Sequence, residues 1–424
     1  MARRHDDHDE PGSDDGAKRR PHADDDHRLH HPMWLVVPVL VLCLVAFAIN
    51  RIEPSAPGAF YDPPDPLTAG DPGTVIRSEA LRGLPAGTRG WRVLYLSTDP
   101  AGTAIAVSGT VFAPDAPAPP GGRPVIAWAH PTTGVDRRCA PSIDADGDAG
   151  DIPGLRSFIA AGYVVTATDY PGLGTPGPHP YLVGDSEGRA VIDSVRMAAN
   201  VDGTGAGTRF ALWGHSQGGH AALFAGQLVP DYAEGLQLVG VAAAAPATEL
   251  AALFQRDIGG LSGNVLASMA LVSWSAYYAD LGLRMDQVAE PLSTPAARLV
   301  ADHCILTDAQ VLVDLPEAAI LDLHFLSNDP WSTPGWDTAM SDNTPGAAPV
   351  RVPIFVGQGT ADTIVWPGVT ADWVAARCRA GESVTLRTYP GVPHEGAGFA
   401  VAPDVVTWLG DRFAGRPVTG ACTS

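Results

Sequence analysis

The sequence predicts an α/β fold built on a doubly wound, mostly parallel sheet, and two patterns carry that prediction. Short continuous apolar runs, the mark of strands buried on both faces, alternate with stretches whose apolar residues recur at helical spacing. That alternation implies strands joined by right-handed crossovers. One interval between successive strands is far longer than a crossover helix needs, which predicts a mainly helical cap inserted over residues 246–351.

Composition is consistent with this class. The chain has 424 residues, 45% hydrophobic and 17% charged, enough to bury a large core. Its formal net charge of -20 would repel phosphate backbones, which argues against nucleic acid as a partner.

Residues 1–32 are rich in Asp, Arg and His and poor in large apolar side chains, as expected of a solvated tail. Nothing in the spacing of its histidines fixes a metal geometry. A single N-terminal hydrophobic segment follows in residues 33–50, with an uncharged run from Trp34 to Ala48 closed by Arg51. Two readings stand. Ala46-Phe47-Ala48 has the form of a signal peptidase site, whereas the long preceding tail suits an uncleaved membrane anchor. Both place the bulk of the chain outside the cytosol, secreted or on the outer face of the cytoplasmic membrane. Beyond Cys43, four cysteines remain, Cys139, Cys304, Cys378 and Cys422, which permit two disulfides in three pairings and show no C-x-x-C metal pattern.

Residues 51–73 form a Pro/Gly/Asp-rich linker or arm. Alternating patterns over Trp91–Ser97 and Thr103–Ala113 predict two antiparallel strands. Pro124–Ala129, Tyr163–Thr168, Phe210–Trp213, Leu236–Ala245, Val352–Gly357 and Ser383–Tyr389 predict the later strands. Gly154–Ala161, Ser186–Asn200 and Gly218–Leu228 predict helices between them. The core is thus divided into 74–245 and 352–424. Within the cap, Leu261–Gly282 is the longest helical run, with more apolar surface than packing onto the core uses. It is suited to covering an acyl chain, with Met269–Trp274 at its centre.

Gly214-His215-Ser216-Gln217-Gly218 lies between a predicted strand and a predicted helix, the context in which G-x-S-x-G holds a serine at the tip of a strained turn. Ser216 is therefore the candidate nucleophile. A serine needs a base and an acid that orients it, and on such a sheet these follow later strands in the order Ser, Asp, His. Asp362 follows the strand ending at Gly357, and His394 lies in a Pro/Gly loop after the final strand. His215 is expected to point elsewhere, and His220, one helical turn on, to be packed support. Of the two N–H donors that an oxyanion needs, Gln217 supplies one. Pro131 has no N–H to give, so Thr132 or Asp169 supplies the other. No metal or cofactor is required.

Phe60-Tyr61 with Pro63-Pro64, Trp128-Ala129-His130 with Thr132-Thr133-Gly134, Asp169-Tyr170-Pro171-Gly172, Gly214 to Gly219, Asp362 and His394 together resemble the secretory lipase family typified by Candida antarctica lipase A. The resemblance implies an α/β-hydrolase fold with a helical cap and a Ser216-Asp362-His394 triad acting on neutral fatty-acyl esters. It further implies an acyl chain held in the cap, and it favours Asp169 over Thr132 at the oxyanion. Pro131, the acidic tail and the hydrophobic segment depart from the family's pattern. A peptidase or acyltransferase would keep the same triad. A non-enzymatic surface protein would be expected to lose part of it. The substrate class expected is a small lipid or ester, and oligomeric state is left open. Pairing Cys139 with Cys304 would tie core to cap, and pairing Cys378 with Cys422 would fasten the C-terminal tail.

Overall fold

The structure is a computed structural model that describes residues 56–145, 152–305, 320–321 and 325–422. The tail, the hydrophobic segment, Cys43 and His324 lie outside these residues. Among the described residues, no helix is long and apolar enough to cross a membrane.

The described chain folds around a nine-stranded mixed sheet of order β1-β2-β3-β5-β4-β6-β7-β8-β9. β1 (Val75–Ala80), β2 (Thr88–Thr98) and β3 (Ala104–Pro114) form an antiparallel meander, and β3 also runs antiparallel to β5 (Val164–Thr168). From there β4 (Arg123–Ala129), β6 (Ala206–His215), β7 (Gln237–Ala244), β8 (Ile354–Gly359) and β9 (Val384–Tyr389) are parallel. The central strands are buried on both faces, as their unbroken apolar runs predict: Ala211, Leu212 and Trp213 of β6 are wholly inaccessible.

The helices α1 (Leu155–Ala160), α2 (Gly184–Asn200) and α3 (Gln217–Tyr232) connect the first parallel strands. Between β7 and β8 the chain runs through α4 (Leu250–Asp257), α5 (Leu261–Tyr277), α6 (Ser293–Ala301) and α7 (Trp336–Asp342). α8 (Pro367–Arg379) then crosses to β9, and α9 (Ala397–Phe413) closes the fold. α5 is shorter than the predicted run. It stops at Tyr277, and after a 3-10 turn Gly282 takes φ 82°, a left-handed conformation that glycine adopts without penalty.

Two elements escaped the sequence reading. β1 is an edge strand whose Ser78, Glu79 and Ala80 are exposed, so it lacks the apolar pattern of its neighbours. α9 carries Gly398, Gly410 and an internal Pro403, which blur a helical pattern, although it buries Val401, Val405 and Leu409.

α5 is docked on the loop before α2. The Trp274 indole donates to the Tyr181 carbonyl at 2.8 Å, the Ser273 hydroxyl donates to the His179 carbonyl at 2.6 Å, and Trp274 stacks on Trp336 with centroids 6.2 Å apart. Disulfides join Cys139 to Cys304 and Cys378 to Cys422, the pairing set out above. Such bonds persist in oxidising compartments.

Candidate active site

β6 ends at His215 and α3 begins at Gln217, so the single residue between them must turn the chain. Ser216 does so at φ 56° and ψ -118°, a strained conformation for a residue with a side chain. The turn is possible because its flanking glycines have no Cβ. One built on Gly214 would lie 2.0 Å from the Gly218 carbonyl oxygen, and one on Gly218 1.9 Å from that of Ala129. The Ser216 N–H donates to the Ala244 carbonyl at 3.0 Å, which fixes the turn against β7.

His394 and Asp362 come from the loops after β9 and β8. Ser216 Oγ lies 2.8 Å from His394 Nε2, and His394 Nδ1 lies 2.8 Å from Asp362 Oδ2. Because Nδ1 faces a carboxylate it donates its proton there, leaving Nε2 to accept from the Ser216 hydroxyl. Asp362 is itself held: its Oδ1 accepts the N–H groups of Ile364 and Val365 at 2.9 and 2.8 Å, and its Oδ2 accepts from Gln358 Nε2 at 3.1 Å. Thr370 donates to Gln358 Oε1 at 2.7 Å. Gln358, a buried amide four residues before the candidate acid, was not singled out from the sequence.

His215 does not approach the reaction as a base. Its Nε2 donates to the His394 carbonyl at 3.0 Å, and burial lowers its pKa to about 3, so it is neutral and fastens the loop that carries His394. His220 is buried on the far side of the turn, where its Nδ1 meets Glu187 Oε2 at 3.0 Å.

Gln217 occupies the first position of α3, where backbone N–H groups have no helical acceptor. The other donor is corrected by the geometry. The Asp169 N–H donates to the Ser108 carbonyl at 2.8 Å and is therefore spent in the β3–β5 pairing. The Asp169 carboxyl accepts from the hydroxyls of Ser108 and Ser142 and from the Ser142 N–H, and burial raises its pKa to about 6. Asp169 is thus a structural bracket with no donor left to offer. In the loop after β4, Thr132 Oγ1 pairs with Tyr181 Oη at 2.9 Å. Its neighbour Thr133 has a buried hydroxyl without a partner among the described residues, a donor to which the sequence alone assigns no role.

A pocket of about 50 Å³ opens beside Ser216 and Gln217, walled by Leu250, Leu253 and Phe254 of α4 and Leu266 of α5. Met269 and Trp274, expected to face this space, are instead fully buried in the packing of α5. One helical turn nearer the N-terminus, Gly263, Leu266 and Ala267 face it. The charged group in the pocket wall is Asp257, whose pKa burial raises to about 6 while the Trp366 indole donates to it at 2.7 Å.

Fold and site together define a hydrolase of the lipase and esterase class. The sequence model of the secretory lipase family matches residues 151–421, and the chain belongs to that family. It is 27% identical over 401 residues to a "probable inactive lipase" of Mycobacterium tuberculosis, covering 87% of this chain and 85% of that protein. It is also 27% identical over 394 residues to a secreted triacylglycerol lipase of Malassezia globosa, covering 86% of this chain and 80% of the relative. The crystal structure of Candida antarctica lipase A in its closed state shares the fold, with a TM-score of 0.71 over 87% of this chain and 89% of that one, at 18% identity.

Proposed function

We propose that the protein is an exported serine ester hydrolase that cleaves neutral fatty-acyl esters, acylglycerols among them, through an acyl-enzyme. The observation that carries this reading is the continuous line from Ser216 Oγ through His394 to Asp362, each contact at 2.8 Å. In this reading Ser216 attacks the ester carbonyl as His394 Nε2 takes its proton, and His394 returns the proton to the leaving alcohol. Water then repeats the sequence on the acyl-enzyme. Asp362 holds the imidazole in the productive tautomer and balances its transient charge. The Gln217 N–H and a donor from the Thr132–Thr133 loop stabilise the oxyanion, where one donor is typically worth ~10²–10³ in rate.

The apolar wall beside Ser216 favours an acyl chain over a peptide. At about 50 Å³ the pocket is small beside the roughly 300–1,000 Å³ of ordinary ligand sites, so short acyl groups fit it as it stands. The two disulfides support export.

A second reading, a lipase-like protein without activity, is favoured by the likeness to the Mycobacterium tuberculosis relative. The intact contacts among Ser216, His394 and Asp362 favour activity. An ester and anilide panel separates the readings. Purified protein is expected to hydrolyse p-nitrophenyl acyl esters and to leave peptide anilides largely intact. Faster cleavage of anilides than of every ester would replace this proposal with a peptidase, and no turnover of either would favour the inactive reading.

A further inference from the structure

Behind the nucleophile lies a buried carboxylate that the chemistry above does not use. Glu187, in the first turn of α2, is wholly inaccessible. Its Oε1 accepts the Gln217 side-chain amide at 2.7 Å and the Leu182 N–H at 2.9 Å, and its Oε2 accepts from His220 Nδ1 at 3.0 Å. His220 Nε2 lies 2.8 Å from the Asn343 carbonyl oxygen. Asn343, which ends α7, accepts the Gly184 N–H at 3.0 Å and donates to Tyr278 Oη at 2.7 Å. Tyr278 is the C-terminal cap of α5, the helix whose Leu266 walls the acyl pocket.

Gln217, Glu187, His220, Asn343 and Tyr278 therefore form one unbroken line of close polar contacts, from the residue after the nucleophile to the helix over the substrate. Burying a carboxylate is costly unless its oxygens are satisfied, and here one of the three groups that satisfy it is the arm of the oxyanion residue. We propose that Glu187 is a positioning residue. It aligns the Gln217 N–H by holding the Gln217 side chain, and through His220 and Asn343 it makes that alignment depend on how α5 and α7 are seated. The inference rests on the serine-hydrolase reading.

Glu187→Gln tests it, because an amide there turns a donor toward groups that are themselves donors. With a p-nitrophenyl butyrate substrate, kcat is expected to fall at least tenfold while KM stays within about twofold, since an oxyanion donor acts on the transition state. Inhibition by an alkyl trifluoromethyl ketone, which forms an oxyanion on the serine, should weaken by the same factor. The matching methyl ketone should bind as before. Gln217→Ala, which removes the arm and keeps the N–H, should give the same losses, and the double variant little more. It also decides the matter if Glu187→Gln does not fold. Unchanged kcat in these variants, or equal weakening of both ketones, overturns the proposal. A wild-type protein with no Ser216-dependent turnover would instead overturn the reading on which it rests.

Discussion

His215 Nε2 donates to the backbone carbonyl of His394 at 3.0 Å, so the residue before the candidate nucleophile anchors the loop that carries the candidate base. The two loops meeting at the site belong to β6 and β9, strands that are not neighbours in the sheet, and this bond is one of the links between them.

Replacing His215 with Ala should remove that link. A buried hydrogen bond of this kind contributes about 1 kcal/mol, and leaving the His394 carbonyl unpaired adds to the cost. The expected outcome is a loss of about 1–3 kcal/mol in unfolding free energy with kcat reduced more than KM is raised, measured by urea unfolding and steady-state kinetics.

Asp362→Asn should leave the fold intact and lower kcat by roughly 10⁴, because the amide can turn its N–H toward His394 Nδ1 and favour the wrong tautomer. Comparison with Asp372→Asn on α8 checks the assignment: equal loss in that variant, with Asp362→Asn near normal, would move the acid.

Thr133→Val separates catalysis from stability. The Thr133 hydroxyl is buried without a partner among the described residues, so removing it should change stability little or raise it. If it serves the oxyanion, kcat falls by about 10² in the same variant. Thermal unfolding and kinetics on one preparation give both answers.

Acid should destabilise the fold. Burial lowers the pKa of His130 to about 4 and those of His179 and His215 to about 3, all below the ordinary value near 6.5. The unfolded chain binds protons there that the native state does not, so these groups contribute stability that is present above about 6.5 and lost as pH falls toward 4. Asp169 and Asp257, raised to about 6, act in the opposite sense, as do Asp193, Glu249 and Asp302, which burial also raises, with stability lost as pH rises through their raised pKa values, but the three histidines are shifted further than Asp169 and Asp257. The urea midpoint should be lower at pH 5 than at pH 7, and His130→Gln should flatten the difference.

The sheet was legible because its central strands are buried on both faces and read as unbroken apolar runs. β1 was not, since an edge strand with exposed Ser78, Glu79 and Ala80 carries no such mark. The candidate triad of Ser216, Asp362 and His394 was proposed from order and context, and the fold brings the three side chains into contact. The groups around them were not: Gln358 is one more polar residue at a strand end, and Glu187 and Asn343 act through contacts between segments distant in sequence, for which no local pattern exists. Asp169 shows the converse. Its position after a strand suited an oxyanion donor, but only the register of β3 against β5 reveals that its N–H is already spent. Which face of α5 meets the pocket was not legible for a related reason, because an apolar helix with no distinct polar face does not state which side meets substrate.

The central claim is that Ser216 is a nucleophile activated by His394, and the most direct measurement is fluorophosphonate labelling of the purified protein with the modified residue located by peptide mass spectrometry. The account predicts one label per chain on Ser216, none in Ser216→Ala, and much slower labelling in His394→Ala, with all three proteins folded by circular dichroism. Full labelling of Ser216→Ala, or a folded wild-type protein that takes no label while hydrolysing no ester, would contradict it.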